Sequence, residues 1–130
     1  MGANAMYATP REFARFGLLY LDGGVVGGRR VLPEGWVEYS TRATKGTGYG
    51  AGFWLNNTSA PLAEWGTNWG IPGAPRDSYM ARGYLGQYIV VVPSADLVVV
   101  RMGQSHARSG DLASVGVLVR NVVEALSRPP

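Results

Sequence analysis

The sequence predicts an α+β fold with a mostly antiparallel sheet of three to four strands and flanking helices. Two runs rich in β-branched residues, Gln87–Val92 and Leu97–Met102, are separated by Pro93–Asp96. Pro presets the first bend and Asp bonds back to nearby backbone, so these four residues predict a hairpin loop. Because neither run alternates apolar with polar residues, both are predicted to be central strands covered by helices on each face.

The helices are predicted from their capping residues and apolar spacing. Thr9, Pro10 and Glu12 form a capping box with proline in the first turn, and Gly23 follows the helix that they begin. A short helix is expected over Pro33–Tyr39, entered through Pro33. A last helix is expected from Asp111, with one apolar face made by Leu112, Val115, Val119, Val122, Val123 and Leu126.

The other segments predict two further strands and a long loop. Tyr79–Gln87 precedes the two apolar runs and indicates a third strand with its turn, and Tyr49–Leu55 indicates a glycine-rich strand that another backbone can approach closely. Asn56–Pro75 is longer than most loops, and its tryptophans, Trp65 and Trp69, favour an ordered binding loop because large rings lose free energy in water.

Length and composition predict one globular domain over residues 1–130, with a helical part at 1–45 and the sheet and C-terminal helix at 46–130. The chain is 46% hydrophobic and 16% charged, and its net charge of +3 comes from scattered arginines. Nucleic-acid binding needs a basic face, so that function is not expected. With no Cys and one His, no metal site is expected. No leader peptide or membrane span is visible.

Two short motifs are weak candidates for chemistry. The glycines between Gly46 and Gly52 precede a predicted strand and lack the spacing of a dinucleotide loop, so no cofactor is expected. Gly103–Ala107 resembles the nucleophile elbow G-x-S-x-G, but its last position is Ala, and a neighbouring Ser105 and His106 cannot form a triad alone. A surface loop with a solvated His106 is the better interpretation.

The pair Arg82-Gly83 has two interpretations. It can be an edge-strand arginine followed by a bulge glycine. Alternatively, the strand lines an active-site cleft, Gly83 leaves room for a substrate, and the next amide points at a developing oxyanion.

At these residues the chain resembles a known family. Tyr79–Met102 is similar to the C-terminal strands of the serine β-lactamase and penicillin-binding-protein superfamily, in the branch of class C-like esterases, D-aminopeptidases and 6-aminohexanoate-dimer hydrolases. Tyr7–Gly17 and Val31–Val37 resemble the same branch and occur in the same order. The resemblance implies a β-lactamase-like fold and a C-terminal fragment of a larger hydrolase.

The three motifs of that family are incomplete here. Lys45 is the only lysine and Arg42 stands three residues before it, so S-x-x-K is absent, as are Y-x-N and S-x-N. Ala81-Arg82-Gly83 occupies the place of K-T-G, which puts β-lactam turnover in doubt. By resemblance, the Tyr84 amide is the oxyanion donor, Gly83 admits the substrate, Ala81 and Arg82 face the cleft, and Gln87 and Trp69 are weaker candidates for its wall.

Two functions follow from this resemblance. In the first, the chain belongs to a serine hydrolase acting on ester, amide or β-lactam-like bonds through an acyl-enzyme, and it is inactive alone because the nucleophile lies elsewhere. In the second, it is a non-catalytic binding module that retains the sheet. Exposed strand edges also predict self-association of the chain.

Overall fold

The α+β fold class is confirmed. The computed structural model describes residues 6–45, 47–56, 70–105 and 111–127. Trp65, Trp69 and His106 lie outside these residues. Three helices and six strands are present in the described part of the chain: α1 (Pro10–Leu21), β1 (Val25–Val26), β2 (Arg29–Arg30), α2 (Trp36–Ser40), β3 (Trp54–Leu55), β4 (Tyr79–Gly83), β5 (Gln87–Val92), β6 (Leu97–Arg101) and α3 (Asp111–Ser127).

The main sheet is an antiparallel meander in the order β3-β4-β5-β6, and β1 and β2 form a separate two-stranded hairpin that the sequence analysis did not predict. The loop at Pro93–Asp96 is confirmed, with a 3₁₀ turn that ends at a left-handed Asp96. Val91 of β5 pairs with Tyr79 on one side and with Val98 on the other. The structure therefore confirms β5 as a central strand.

The central position predicted for β6 is wrong in the described part of the chain. Its five residues are half-buried, and β5 is its one partner in the sheet as described. The continuous apolar run of β6 arises because other elements pack on both faces of the strand, not because a strand pairs with it on each edge. A run of apolar residues does not distinguish a strand with two neighbours from one with a single neighbour. Self-association through such an edge stays a prediction.

Helices cover the two faces of the sheet, as predicted. On one face, Met80, Tyr88 and Val90 form a buried cluster with Val115 and Val119 of α3. Successive residues of a strand point to opposite faces. The other face accordingly carries a second cluster near α1, which consists of Tyr20, Phe53, Leu55, Tyr79 and Val91. The predicted apolar face of α3 is correct except at its end, where Leu126 is 67% exposed.

The start of α1 confirms the predicted capping box. The Glu12 amide donates to the Thr9 hydroxyl at 3.3 Å, and the Glu12 carboxylate accepts from the Thr9 amide at 2.6 Å. Hydrogen bonding of the Glu12 carboxylate to the Thr9 backbone, and after it to the Thr9 side chain, lowers the pKa of Glu12 below its ordinary value. These bonds satisfy amides that the first turn of a helix leaves unpaired.

The strand predicted at Tyr49–Leu55 is wrong over most of its length. The chain turns back at this place, with a bridge between Tyr49 and Trp54 and a hydrogen bond of 2.8 Å from the Gly50 amide to the Phe53 carbonyl. A Cβ on Gly50 would overlap the carbonyl oxygen of Ser40. The glycine therefore allows the close backbone approach that its position predicted, but in a turn rather than in a strand.

The short helix predicted after Pro33 is present but begins later, at Trp36. Gly35 precedes it with a φ of +76°, in the left-handed region that glycine adopts most readily. The Trp36 indole donates to the Tyr20 hydroxyl at 3.3 Å, which fixes α2 against α1.

Candidate active-site strand

In the part of the chain that the structure describes, β4 has a strand on its outer side over its first half alone. β3 pairs with Tyr79 and Met80 and ends there, whereas β4 continues through Ala81–Gly83. On the inner side, β5 accompanies β4 to the pair Gly83 and Gln87. In the described ranges, no strand lies along the outer side of Ala81–Gly83. We call this side of Ala81–Gly83 the open edge of β4.

The ladder with β3 shows which backbone groups point to that open edge. The Asn56 amide donates to the Ser78 carbonyl at 3.0 Å, so Ser78 presents its polar backbone groups toward β3. Alternate residues of a strand point these groups to the same edge. Arg82 therefore points its backbone groups to the same side as Ser78. Tyr84 follows two residues after Arg82, one residue beyond β4, so its N–H points to the open edge as well. The described part of the chain provides no acceptor for that N–H.

The side chains around this edge are placed on both faces of the sheet. Arg82 lies opposite Tyr88, with its guanidinium carbon 5.7 Å from the centre of the Tyr88 ring, on the face that α3 covers. A cation over an aromatic face is attractive. Ala81 packs with the α1 cluster on the other face. The structure thus separates Ala81 and Arg82, which the sequence analysis had grouped as cleft residues.

The turn after β4 brings three of the predicted residues together. Gly83 and Tyr84 are exposed, the latter by 84%, and the Gln87 amide group donates to the Tyr84 carbonyl at 3.5 Å. A Cβ on Gly83 would lie 3.3 Å from the Cβ of Gln87, so the glycine also has a packing reason. Trp69 lies outside the described residues. The functional roles of all these residues stay predictions.

Sequence reasoning missed Arg101, which contacts the same turn. Its guanidinium donates to the Gly86 carbonyl, to the Gly103 carbonyl at 3.4 Å and to the Ser105 hydroxyl at 2.9 Å. The Ser105 amide donates to the Leu85 carbonyl at 2.7 Å. The one signal in the sequence was a charged residue at the end of an apolar strand. The Ser105 oxygen is occupied by this contact, which gives the serine of the rejected elbow a structural role.

A cavity of about 560 Å³ lies near the opposite end of β4 and contains none of the predicted site residues. Tyr20, Glu34, Glu38, Ser78 and Tyr79 are among its lining residues. Gly83 is about 13 Å along the strand from Tyr79, at the usual rise per residue. The buried Ser78 hydroxyl has no hydrogen-bond partner within the described residues.

Tyr79, one of the tyrosines that line this cavity, is unsuited to act as a base at neutral pH. Burial raises the pKa of Tyr79 to about 12, and the neighbouring Tyr20 contributes to the same direction. A general base is most effective when its pKa lies near the working pH. The phenol of Tyr79 therefore stays protonated, and the candidate site remains the open edge of β4.

The raised pKa of Tyr79 predicts a loss of stability in alkali. Between pH 10 and about pH 12 the unfolded chain releases this proton while the folded chain retains it, so the free energy of unfolding falls as the pH rises. Tyr79→Phe should weaken that fall, as measured by urea denaturation at a series of pH values. Tyr39→Phe, which removes a phenol that is 54% exposed, should keep it. An identical pH dependence in Tyr79→Phe and the unmodified chain would contradict the assignment.

The described residues hold no group of three or more His, Asp or Glu side chains that could bind a metal ion. Within the same ranges, no helix has the length and apolar character that crossing a membrane requires.

Comparisons with known proteins agree with the resemblance noted in the sequence. The model of a family described as Beta-lactamase matches residues 1–124. A 6-aminohexanoate-dimer hydrolase from Paenarthrobacter ureafaciens is 32% identical over 99 residues, which cover 72% of this chain and 24% of the hydrolase. The chain thus spans about a quarter of that relative's length. Because the family match extends over nearly all of its residues, the chain belongs to the β-lactamase family, within the serine β-lactamase superfamily.

Proposed function

We propose that this chain is part of a serine hydrolase that cleaves ester, amide or β-lactam-like bonds through an acyl-enzyme. In this proposal β4 and its turn contribute backbone groups, and the serine nucleophile, its lysine and the tyrosine base lie outside residues 1–130. One observation carries it: the Tyr84 N–H is directed to the open edge of β4 and has no acceptor in the described part of the chain.

The chemistry of acyl transfer explains why such an N–H matters. Addition of a nucleophile to a carbonyl carbon moves negative charge onto the carbonyl oxygen. A donor fixed about 2.7–3.1 Å from that oxygen stabilises the charge in the transition state without having to reorganise. Gly83, the residue before this donor, has no side chain that would stand between the strand and the substrate. Gly83 therefore leaves room for the substrate, and Tyr84 supplies the N–H that donates to its carbonyl oxygen.

The similar protein also supports a proposal about the substrate. Its name denotes the hydrolysis of a 6-aminohexanoate dimer. We therefore place amides among the candidate substrates, with the reacting carbonyl beside Gly83 and the Tyr84 N–H. Gln87 lies opposite Gly83 on β5.

The isolated chain is expected to be inactive. A donor for the oxyanion lowers the energy of a tetrahedral intermediate, but it cannot form one without an activated nucleophile. In this family the motif S-x-x-K supplies the nucleophilic serine and its lysine. Because residues 1–130 lack this motif, the proposal places the nucleophile on other polypeptide.

A covalent probe tests the proposal. The 130-residue chain and the protein at its full encoded length are each treated with a fluorophosphonate, and hydrolysis of p-nitrophenyl acetate is followed in parallel. We expect labelling and turnover with the full-length protein, and peptide mapping should place the label on a serine outside residues 1–130. The isolated chain should show neither labelling nor turnover.

Other outcomes would overturn the proposal. A label on Ser105, or turnover by the isolated chain, would show that the elbow is catalytic. No label and no turnover in the full-length protein would instead favour a non-catalytic binding module.

A further inference from the structure

We propose that Arg101 and Ser105 position the oxyanion donor, by holding the turn between β4 and β5 in one conformation. The turn consists of Tyr84, Leu85 and Gly86. Arg101 lies at the end of β6 and Ser105 lies in the loop after it, and we call these two residues the clamp. This inference rests on the proposed function, because it concerns the Tyr84 N–H of the same site.

The turn has a backbone that needs support. Leu85 has a φ of +60° and Gly86 has a φ of +86°, so two consecutive residues are left-handed. The conformation suits glycine but is costly for leucine, whose Cβ crowds the following carbonyl. Strained backbone of this kind persists where surrounding contacts determine it.

Donors reach all three carbonyl groups of the turn. The Ser105 amide donates to Leu85 at 2.7 Å, the Arg101 guanidinium donates to Gly86, and the Gln87 side chain donates to Tyr84 at 3.5 Å. Two of the three donors come from the same segment, residues 101–105. This segment lies at the far end of β6, so the turn is fixed by a part of the chain that is distant in sequence.

Arginine is suited to this place by its shape. The guanidinium uses one nitrogen for the Gly86 carbonyl and the other for the Ser105 hydroxyl at 2.9 Å, so one planar group joins the turn to the loop. Lysine has a single charged nitrogen and cannot span the two in the same way. Glycine suits position 86 because its φ is +86°, and because a Cβ there, 2.9 Å from Arg101 Nη1 and 3.0 Å from Ser105 Oγ, would force these side chains to shift.

The clamp affects chemistry through the direction of one peptide plane. The Tyr84 N–H belongs to the peptide between Gly83 and Tyr84, directly before the clamped carbonyls. If the turn relaxes toward ordinary dihedral angles, this plane rotates and the N–H leaves the position where the oxyanion forms. A misplacement of about 1 Å lowers rates by about 100-fold in enzymes generally.

Two measurements on the full-length protein test the clamp. Arg101→Ala should lower kcat and kcat/KM for p-nitrophenyl acetate by the same factor, about 10- to 100-fold, with KM unchanged, since the lost interaction acts in the transition state. Rates are expressed per serine acylated by the fluorophosphonate, so that a smaller folded fraction does not count as slower chemistry. Arg101→Lys should recover part of the loss, and the exposed Arg29→Ala should match the unmodified protein.

Hydrogen exchange supplies a readout that is independent of activity. In Arg101→Ala, the Ser105 amide should exchange faster, whereas the amides of Val90 and Val91, which are buried in β5, should keep their protection. Ser105→Ala retains its backbone donor and loses one contact of Arg101, so we expect a smaller effect in the same direction. This milder variant decides the matter if Arg101→Ala does not fold.

The outcomes separate the two proposals. An unmodified protein that is neither labelled nor active refutes the proposed hydrolase and the clamp together. If the protein is a hydrolase and its Arg101→Ala variant keeps the unmodified rate per acylated serine, the clamp alone is refuted. If Arg101→Ala does not fold, an unchanged rate in Ser105→Ala refutes the clamp in the same way. Equal losses of kcat in Arg101→Lys and Arg101→Ala with unchanged exchange at Ser105 would also refute it.

Discussion

Tyr84→Pro is expected to lower ester hydrolysis by the full-length protein by about 10²- to 10³-fold, the loss that removal of one oxyanion donor causes in well-studied enzymes. Proline lacks the backbone N–H. The substitution therefore deletes the atom that the proposed function depends on, which no change of side chain alone can do. Because that N–H acts in the transition state, kcat and kcat/KM should fall together.

The fold should tolerate this proline. In the described part of the chain the Tyr84 N–H donates to no acceptor, so its removal breaks no hydrogen bond there. Tyr84 is not among the residues with a positive φ, which proline cannot adopt. The residue before a proline is restricted to extended backbone, and Gly83 lies in a strand.

Tyr84→Ala is the matched control, because it removes the exposed side chain and keeps the N–H. The difference in rate between the alanine and proline variants measures the contribution of the N–H itself. Both variants are compared per acylated serine and by circular dichroism. Equal rates in the two variants would mean that the Tyr84 amide does not contact the reacting carbonyl, and the donor would have to be sought elsewhere.

The sequence predicted those parts of the fold that short-range chemistry determines. The capping box at Thr9, the hairpin loop at Pro93–Asp96 and the extent of β5 each depend on a few neighbouring residues, and the structure confirms all three. The turn at Gly50 was missed because the carbonyl of Ser40, ten residues earlier, decides it. The edge position of β6 was missed because apolar side chains report what covers the faces of a strand and not what lies beside it.

The same limit applies to the candidate site. The strand and turn that contain Gly83 and Tyr84 could be predicted, since glycine after a strand and a family resemblance both point to them. The contact between Arg101 and Gly86 joins residues that are 15 positions apart, and it exists only because β5 and β6 bring the far end of β6 back to the turn. The periodicity of apolar residues in a sequence does not predict a contact of this kind between a side chain and a distant turn.

Gly116→Ala is expected to destabilise the chain by about 1–3 kcal/mol, although helix propensity alone predicts the opposite sign. Gly116 lies inside α3, where replacing glycine with alanine normally gains about 1 kcal/mol. Here a Cβ would overlap the carbonyl oxygen of Pro72 and lie 2.9 Å from its carbonyl carbon. Forcing extra atoms into a packed contact costs about 1–3 kcal/mol, and a backbone carbonyl cannot rotate away as a side chain can.

Gly17→Ala in α1 is the matched comparison for this effect. Its added Cβ would meet Val98 Cγ1 at 2.5 Å, so the obstacle is a side chain on the neighbouring strand rather than backbone. Because a side chain can shift, we expect a smaller loss than at Gly116 when the midpoints of urea denaturation of the purified chain are compared at a constant m-value. If Gly116→Ala is as stable as the unmodified chain while Gly17→Ala is not, the Pro72 carbonyl does not lie against α3. In that case α3 would lie farther from residues 71 and 72 than in this structure, in which Ile71 and Val115 belong to the same buried cluster.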